Sequence, residues 1–253
     1  MTEKIFFSFL LWGWTFLAMV TLPMLLFVTA PYGRHRRSGW GPAIADRWGW
    51  VAMEAPASLG LAVWFLVADV PYTRTMIAFL LMWQAHYVYR AFVYPLTVRR
   101  DEGQMPIAVL ALGILFNATN TYLNGRHLYH FSGGYPNSWF LDPRFLIGMG
   151  VFLSGFWING HADHTLRDLR DPGGSGYQIP HGGLHRWISC PNYFGEIVEW
   201  VGWAIATWSV PGAAFAVWTI ANLAPRARAH HAWYRRTFTD YPDDRKALVP
   251  GIW

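Results

Sequence analysis

The stretch Asn159–Trp200 reads NGHADHTLRDLRDPGGSGYQIPHGGLHRWISCPNYFGEIVEW and lies between long apolar runs. Asparagine, aspartate, arginine, histidine and glutamate crowd together in it, with glycines between them. Ionisable groups in or beside a bilayer are costly to hold, which makes them functional-site candidates by default. The stretch therefore reads as the floor of a buried cofactor site, and the flanking runs as its membrane scaffold.

Composition agrees with a membrane protein. The 253 residues are 53% hydrophobic and only 14% charged, with 16 Trp and 17 Phe; soluble domains run near a quarter charged. The single cysteine, Cys190, excludes an internal disulfide and any CxxC motif. A net charge of +5 would suit nucleic acid. The basic residues sit in short gaps between apolar runs, however, so they mark topology and no nucleic-acid partner is expected.

Seven apolar segments are legible, at roughly 5–30, 51–71, 75–97, 106–124, 144–160, 195–209 and 211–226. The first is too long for a secretory h-region and matches the ~20 residues of a span, so a retained anchor is expected. The last two are separated only by Val210-Pro211 and could form one kinked helix. Charge placement decides for seven. With the N-terminus outside, 31–50, 98–105, 161–194 and the C-terminal tail face the cytoplasm and hold 15 Arg or Lys, against Lys4, Arg74, Arg126 and Arg144 outside. That is the positive-inside pattern for an all-α protein of seven transmembrane helices, N-terminus outside and C-terminus cytoplasmic. The longest polar insert, 161–194, is too short to bury a core of its own, so 1–253 is expected to be a single membrane domain.

Several polar groups stand where lipid would not tolerate them. His86, Tyr87 and Arg90 can share one helix face. Arg90 could snorkel to the membrane edge, but three such groups favour a lined cavity. Glu54 opens the second span and is either a helix-start carboxylate or a paired or protonated functional one. Asn117, Asn120 and Asn124 form a stripe that interhelical hydrogen bonds would also explain. Asn159, Asp163, Arg167 and Arg170 follow at +4, +4 and +3, and paired guanidiniums are good forks for phosphate oxygens. The glycine-rich loop after them fits neither GxGxxG nor GxxxxGK[ST], so Rossmann and P-loop folds are not supported. Asn192, Glu196 and Trp200 make a further stripe with Glu199 beside it, and His230 and Tyr234 are i,i+4. No metal-ligand spacing is present, and no metal is expected.

Three motifs carry a family resemblance: YxIPxGGL at 177–184, NYFGEIVEW at 192–200 and HHxWYxxxFxDYPxxRKALVP at 230–250, extended upstream by NGHADHTLRDLR at 159–170 and HYVYRAFVYPL at 86–96. With them the sequence resembles the steroid 5α-reductase family of membrane enzymes, in a bacterial form. The resemblance implies an NADPH-dependent reduction of the C4–C5 double bond of 3-oxo-Δ4 steroids in a seven-helix fold. It places the substrate end mainly in 1–130 and the cofactor motifs mainly in 155–253. Glu54 and Tyr87 match the catalytic pair at the 3-keto oxygen. Arg90, Asn159, Asp163, Arg167, Arg170, Tyr177, Asn192, Glu196, His230 and Tyr234 match cofactor contacts. Met53 stands where a glutamine is expected, and Gln178 where an arginine is common. The expected partners are a hydrophobic, steroid-like substrate and membrane lipid, with no obligate protein partner, in a bacterial inner membrane or, for a eukaryotic chain, the endoplasmic reticulum. The alternatives are an S-adenosylmethionine-dependent isoprenylcysteine- or phospholipid-type methyltransferase and, outside the enzymes, a small transporter.

Overall fold

The computed structural model describes residues 2–29, 35, 39–97, 103–169 and 177–253. The structure is predominantly helical, and every one of the seven apolar segments forms helix. In chain order these are α1 (Glu3–Phe27), α2 (Asp46–Leu66), α3 (Arg74–Val88), α4 (Ile107–Arg126), α5 (Pro143–Asp168), α6 (Pro191–Thr207) and α7 (Val210–Thr237). Four of them are long and apolar enough to cross a membrane: Glu3–Phe27, Asp46–Leu66, Ile107–Phe131 and Pro143–Asp168. The other three fall short for local reasons. After 15 residues α3 passes into a π turn, α6 has 17 residues, and Arg226, Arg228, Arg235 and Arg236 occupy the second half of α7. The kinked-helix alternative at 195–226 is not realised, because the chain leaves α6 at Trp208, whose φ is 45°, before α7 begins.

Side chains are sorted inside out relative to a soluble protein. Phe9, Leu81, Leu112 and Trp157 are each more than three-fifths exposed, while Asn117, Asn159, Asp163, Glu199 and His230 are buried. Apolar solvent outside and polar contacts inside is the arrangement a bilayer favours.

Helix starts follow simple chemistry. Thr73 Oγ1 accepts from the Met76 amide and donates to the Tyr135 carbonyl, capping α3 and tying it to the 133–136 loop. Asp142 accepts from the Arg144 amide at 2.9 Å ahead of Pro143 at the first position of α5, the pairing a helix start prefers. The Arg144 side chain also donates to Asp142 and holds its carboxyl down to about 2.

Two compact units emerge. The first comprises Met1–Leu11, Pro31–Leu146 and Thr207–Pro211. Within it a short antiparallel ribbon, β1 (Ala43–Ala45) with β2 (Gln104–Pro106), pairs Ile44 with Met105 and ties the starts of α2 and α4. α2 packs on α4, where a Cβ at Gly113 would meet the Met53 sulfur at 2.2 Å and one at Gly125 would meet the Trp64 ring. α2 and α3 are joined by Trp83 Nε1 donating to the Ala57 carbonyl and by Ser58 and Gln84 bonding reciprocally.

The second unit comprises Trp12–Ala30, Ile147–Ala206 and Gly212–Trp253. Its centre is the antiparallel contact of α5 with α6, where backbones touch. A Cβ on Gly148 would lie 2.2 Å from the Ala206 amide nitrogen, on Gly155 2.2 Å from that of Glu199, on Gly195 2.4 Å from that of Asn159, and on Gly202 2.3 Å from that of Phe152. Glycine recurs every seven residues on both helices, so no side chain separates them. Beyond α7 the tail folds back: the Ser189 amide donates to the Lys246 carbonyl at 2.8 Å and the Lys246 amide to the Trp187 carbonyl at 2.9 Å, making a parallel bridge.

Candidate functional site

In the first unit, Glu54 lies half-buried on α2, and Asn117 of α4 reaches it across the helix contact. Asn117 Nδ2 donates to the Met53 carbonyl at 2.7 Å and to Glu54 Oε2 at 3.2 Å. The first asparagine of the stripe therefore joins two helices. The other two act within α4, with Asn124 Nδ2 donating to the Asn120 carbonyl and side chain. Met53 turns its sulfur towards Gly113 and fills the α2–α4 contact.

Tyr87 is 3% exposed, packed beside Trp83 and the edge of His86. Arg90 follows inside a π turn, Tyr89–Val93, closed by the Tyr94 amide on the Tyr89 carbonyl. Such turns recur at functional sites. Its guanidinium lies 5.6 Å from the Trp50 ring and 5.5 Å from that of Tyr94, so Arg90 is held by aromatic faces. Tyr87 and Arg90 thus fall in the stretch where α3 leaves regular geometry, a feature the i,i+3 and i,i+4 spacing does not anticipate.

The second unit carries the expected cofactor residues other than Arg90, which belongs to the first. Glycine contact brings α5 and α6 close enough for Asn159 Nδ2 to donate to the Asn192 carbonyl at 2.9 Å and for Asn192 Nδ2 to donate to Asp163 at 3.1 Å. Asn159 and Asp163 are both 3% exposed, Glu196 is half-buried and Glu199 has no exposed surface. On α7, His230 Nε2 is 3.0 Å from the Tyr193 hydroxyl, which also accepts from Arg226 Nε at 3.0 Å. Tyr234 stacks on Tyr241 of the tail with ring centroids 5.2 Å apart. Tyr177 is about half exposed and meets the Trp233 ring edge-on at 5.0 Å. Arg167 is half-buried at the end of α5, and Arg170 lies outside the described residues.

Sequence reasoning missed Tyr193, Arg226 and the tail lock. Ser189 Oγ lies 2.6 Å from both His231 Nδ1 and the Tyr241 hydroxyl, and burial pushes the Tyr241 phenol up. The Tyr193–Arg226–His230 contact joins consecutive helices through residues 33 and 37 apart in the chain, so no local spacing announces it.

Amides, a carboxylate, an imidazole, phenols and guanidiniums offer donors and acceptors for hydroxyl, carboxamide and phosphate groups. That donor set fits a nucleotide. Among the described residues no group of His, Cys, Asp and Glu could hold a metal ion. Comparison with known proteins gives the family of the chain. The family model described as 3-oxo-5-alpha-steroid 4-dehydrogenase matches residues 103–253. Steroid 5-alpha-reductase DET2 of Gossypium hirsutum is 42% identical over 258 residues, covering 100% of this chain and 99% of the relative. The 3-oxo-5-alpha-steroid 4-dehydrogenase 1 of Homo sapiens is 43% identical over 224 residues, covering 87% and 85%, and that of Bos taurus is 42% identical over 241 residues, covering 93% of each. With the family model spanning more than half the chain and relatives of this similarity spanning nearly all of it, the chain belongs to the 3-oxo-5-alpha-steroid 4-dehydrogenase family.

Proposed function

We propose that this chain reduces the C4–C5 double bond of a 3-oxo-Δ4 steroid to the 5α product, using NADPH. The observations that support the reading are the burial of Tyr87 on α3 and, on α2, which packs against α3, the Glu54 carboxyl held by Asn117. NADPH, when bound, supplies the hydride. Asn159, Asp163, Arg167, Arg170, Tyr177, Asn192, Glu196, His230, Tyr234 and Arg90 would hold it, the guanidiniums suiting phosphates and the amides and carboxylate suiting ribose and carboxamide.

The protein's own contribution is electrostatic. As the β carbon of the enone is reduced, negative charge moves to the 3-keto oxygen. The Tyr87 hydroxyl donates to that oxygen and stabilises it more in the transition state than in the ground state. Glu54 orients the hydroxyl, and Asn117 fixes Glu54. A proton taken up from solvent adds at C4 and completes the saturated ketone.

The same reading places all seven helices across the membrane as a single reductase domain, with the N-terminus outside, the C-terminus cytoplasmic and a bacterial inner membrane as the location. The family match favours reductase chemistry over the methyltransferase and transporter alternatives. The test is NADPH oxidation by detergent-purified protein with and without progesterone. Steroid-dependent oxidation to a 5α product is expected, and Tyr87→Phe should lower turnover about a hundredfold or more while NADPH affinity stays within about twofold. Wild-type turnover in that variant would remove Tyr87 from the mechanism.

A further inference from the structure

Three contacts along α2 and α3 fix how one helix lies on the other. Near the end of α2, the Tyr72 hydroxyl, just ahead of α3, reaches the carbonyls of Phe65 and Leu66 at 3.2 Å. In the middle, Trp83 Nε1 donates to the Ala57 carbonyl at 2.9 Å. Beside it, Ser58 Oγ donates to Gln84 Oε1 at 2.6 Å, and Gln84 Nε2 donates to the Ser58 carbonyl at 2.8 Å. Near the start of α2, the Arg90 guanidinium lies 5.6 Å from the Trp50 ring. Positions fall along α2, from Phe65 through Ser58 to Trp50, as they rise on the other strand of the hairpin, from Tyr72 through Gln84 to Arg90. The two helices are therefore antiparallel and in continuous register.

That register brackets the two residues read as the catalytic pair. Glu54 lies midway between Trp50 and Ser58, and Tyr87 lies midway between Gln84 and Arg90. The helix faces agree. At about 100° per residue, Glu54 points between the directions of Ala57 and Ser58, and Tyr87 between those of Trp83 and Gln84. Those four residues make the cross-helix bonds. One turn beyond the bonds, Glu54 and Tyr87 thus stand at one level on the facing sides of α2 and α3.

The reciprocal pair holds this level more firmly than ordinary packing. Ser58 is buried and Gln84 half-buried. Gln84 spends both ends of one amide on one residue, which restrains sliding and pivoting together. α2 gains from such a tie here, because Pro56, between Glu54 and Ser58, supplies no N–H to the helix ladder. A slip of one residue amounts to about 1.5 Å of travel and about 100° of rotation, enough to carry a hydroxyl out of hydrogen-bond reach.

We infer that Ser58 and Gln84 are positioning residues of the reductase: their reciprocal bonds set the register of α3 on α2 and so bring the Tyr87 hydroxyl to the substrate ketone at the level of Glu54. The inference rests on the reading of Tyr87 as donor to that ketone. Both residues act through Tyr87 and not on the reacting atoms.

The test uses the full chain in detergent, with progesterone-dependent NADPH oxidation, NADPH titration and thermal unfolding. Ser58→Ala/Gln84→Met replaces both partners with apolar groups of similar shape, an exchange that leaves stability nearly unchanged. Its kcat should fall about ten- to hundredfold, the order of loss that a displacement of ~1 Å produces, while the steroid KM and NADPH affinity stay within about twofold. Added to Tyr87→Phe, the same two changes should cost less than about twofold further, since no hydroxyl is left to aim. A merely structural role would lower both backgrounds by equal factors. Ser58→Ala alone keeps the Gln84 bond to the backbone carbonyl and should show the same pattern at about three- to tenfold, which keeps the test valid if the double variant fails to fold. Wild-type kcat in the Ser58 and Gln84 variants, or an equal loss with and without the Tyr87 hydroxyl, overturns the inference. Wild-type turnover in Tyr87→Phe would overturn the reading of Tyr87 itself, and the positioning role with it. Which variant stays active tells the two failures apart.

Discussion

Replacing Gly155 with alanine tests the close approach of α5 and α6 on which the second unit depends. The added Cβ would lie 2.2 Å from the Glu199 amide nitrogen, 2.5 Å from the Gly195 carbonyl oxygen and 2.7 Å from the Glu199 Cα. All three are backbone atoms, so no side chain can rotate away. Restoring ordinary contact requires the helices to part by about 1–1.5 Å, and a gap of that order forfeits a quarter to a half or more of the dispersion attraction across the seam. The cost belongs at the top of the overpacking range, about 3 kcal/mol, offset by about 1 kcal/mol because alanine is the better helix former. A net loss of about 2 kcal/mol lowers the midpoint by about 4–8 °C in a chain of this size. The Asn159–Asn192 bond, 2.9 Å in the native packing, breaks as the seam opens, so NADPH affinity falls with stability. Gly160 provides the control, because it is on the same helix and a Cβ there meets nothing within 4 Å. Thermal unfolding and NADPH titration should leave Gly160→Ala at or above wild type. Equal stability and affinity in the two variants would refute the argument from backbone contact.

Asn117→Leu removes the donor that holds Glu54 and should lower steroid turnover about tenfold or more with NADPH affinity unchanged, as read by steady-state rates beside nucleotide titration. His185 gives a pH signature: its folded pKa of about 4 lies below the unfolded 6.5, so its contribution is complete above 6.5 and is lost as pH falls towards 4. That loss is about 2 kcal/mol by pH 5, and His185→Phe should flatten the corresponding part of the stability profile between pH 7.5 and 5. Ser189→Ala leaves His231 and Tyr241 without their shared partner and should cost about 1–3 kcal/mol. Because Cys190 is the only cysteine and is buried with Leu248 of the tail, faster thiol labelling there would report the loosening, and an unchanged labelling rate would argue against a lock.

Apolar periodicity and length made the helices legible, since a bilayer demands long unbroken runs and the chain supplies them. The residues that meet across α5 and α6 were partly legible too: Asn159, Asp163 and Asn192 stood out because amides and carboxylates are conspicuous in a greasy sequence. The seven-residue glycine recurrence at 148 and 155, and at 195 and 202, was equally available but silent, because a glycine carries meaning only once its neighbour is known. Tyr193 and Arg226 looked like ordinary helix residues, and their bond depends on the register of α6 against α7. Ser189, Tyr241 and Arg245 are brought together by a tail that returns along the chain, which no local pattern encodes. The ribbon of β1 and β2 was hidden for the simplest reason, three residues a side being too few to show alternation.

The π turn at Tyr89–Val93 gives the family a mutational route that substitution does not offer. A π turn is what remains when one residue is accommodated in an α-helix without breaking it. Deleting a single residue there would restore an α-helix, rotating everything beyond it by about 100° and drawing it back by about 1.5 Å. Upstream, Trp83 and Tyr87 would keep their places, while residues past the turn would point to a different side. A lineage could thereby re-aim the end of this helix in one event with every ancestral side chain but one retained, and a single-codon length difference at this point would mark a change of task more sharply than many substitutions elsewhere.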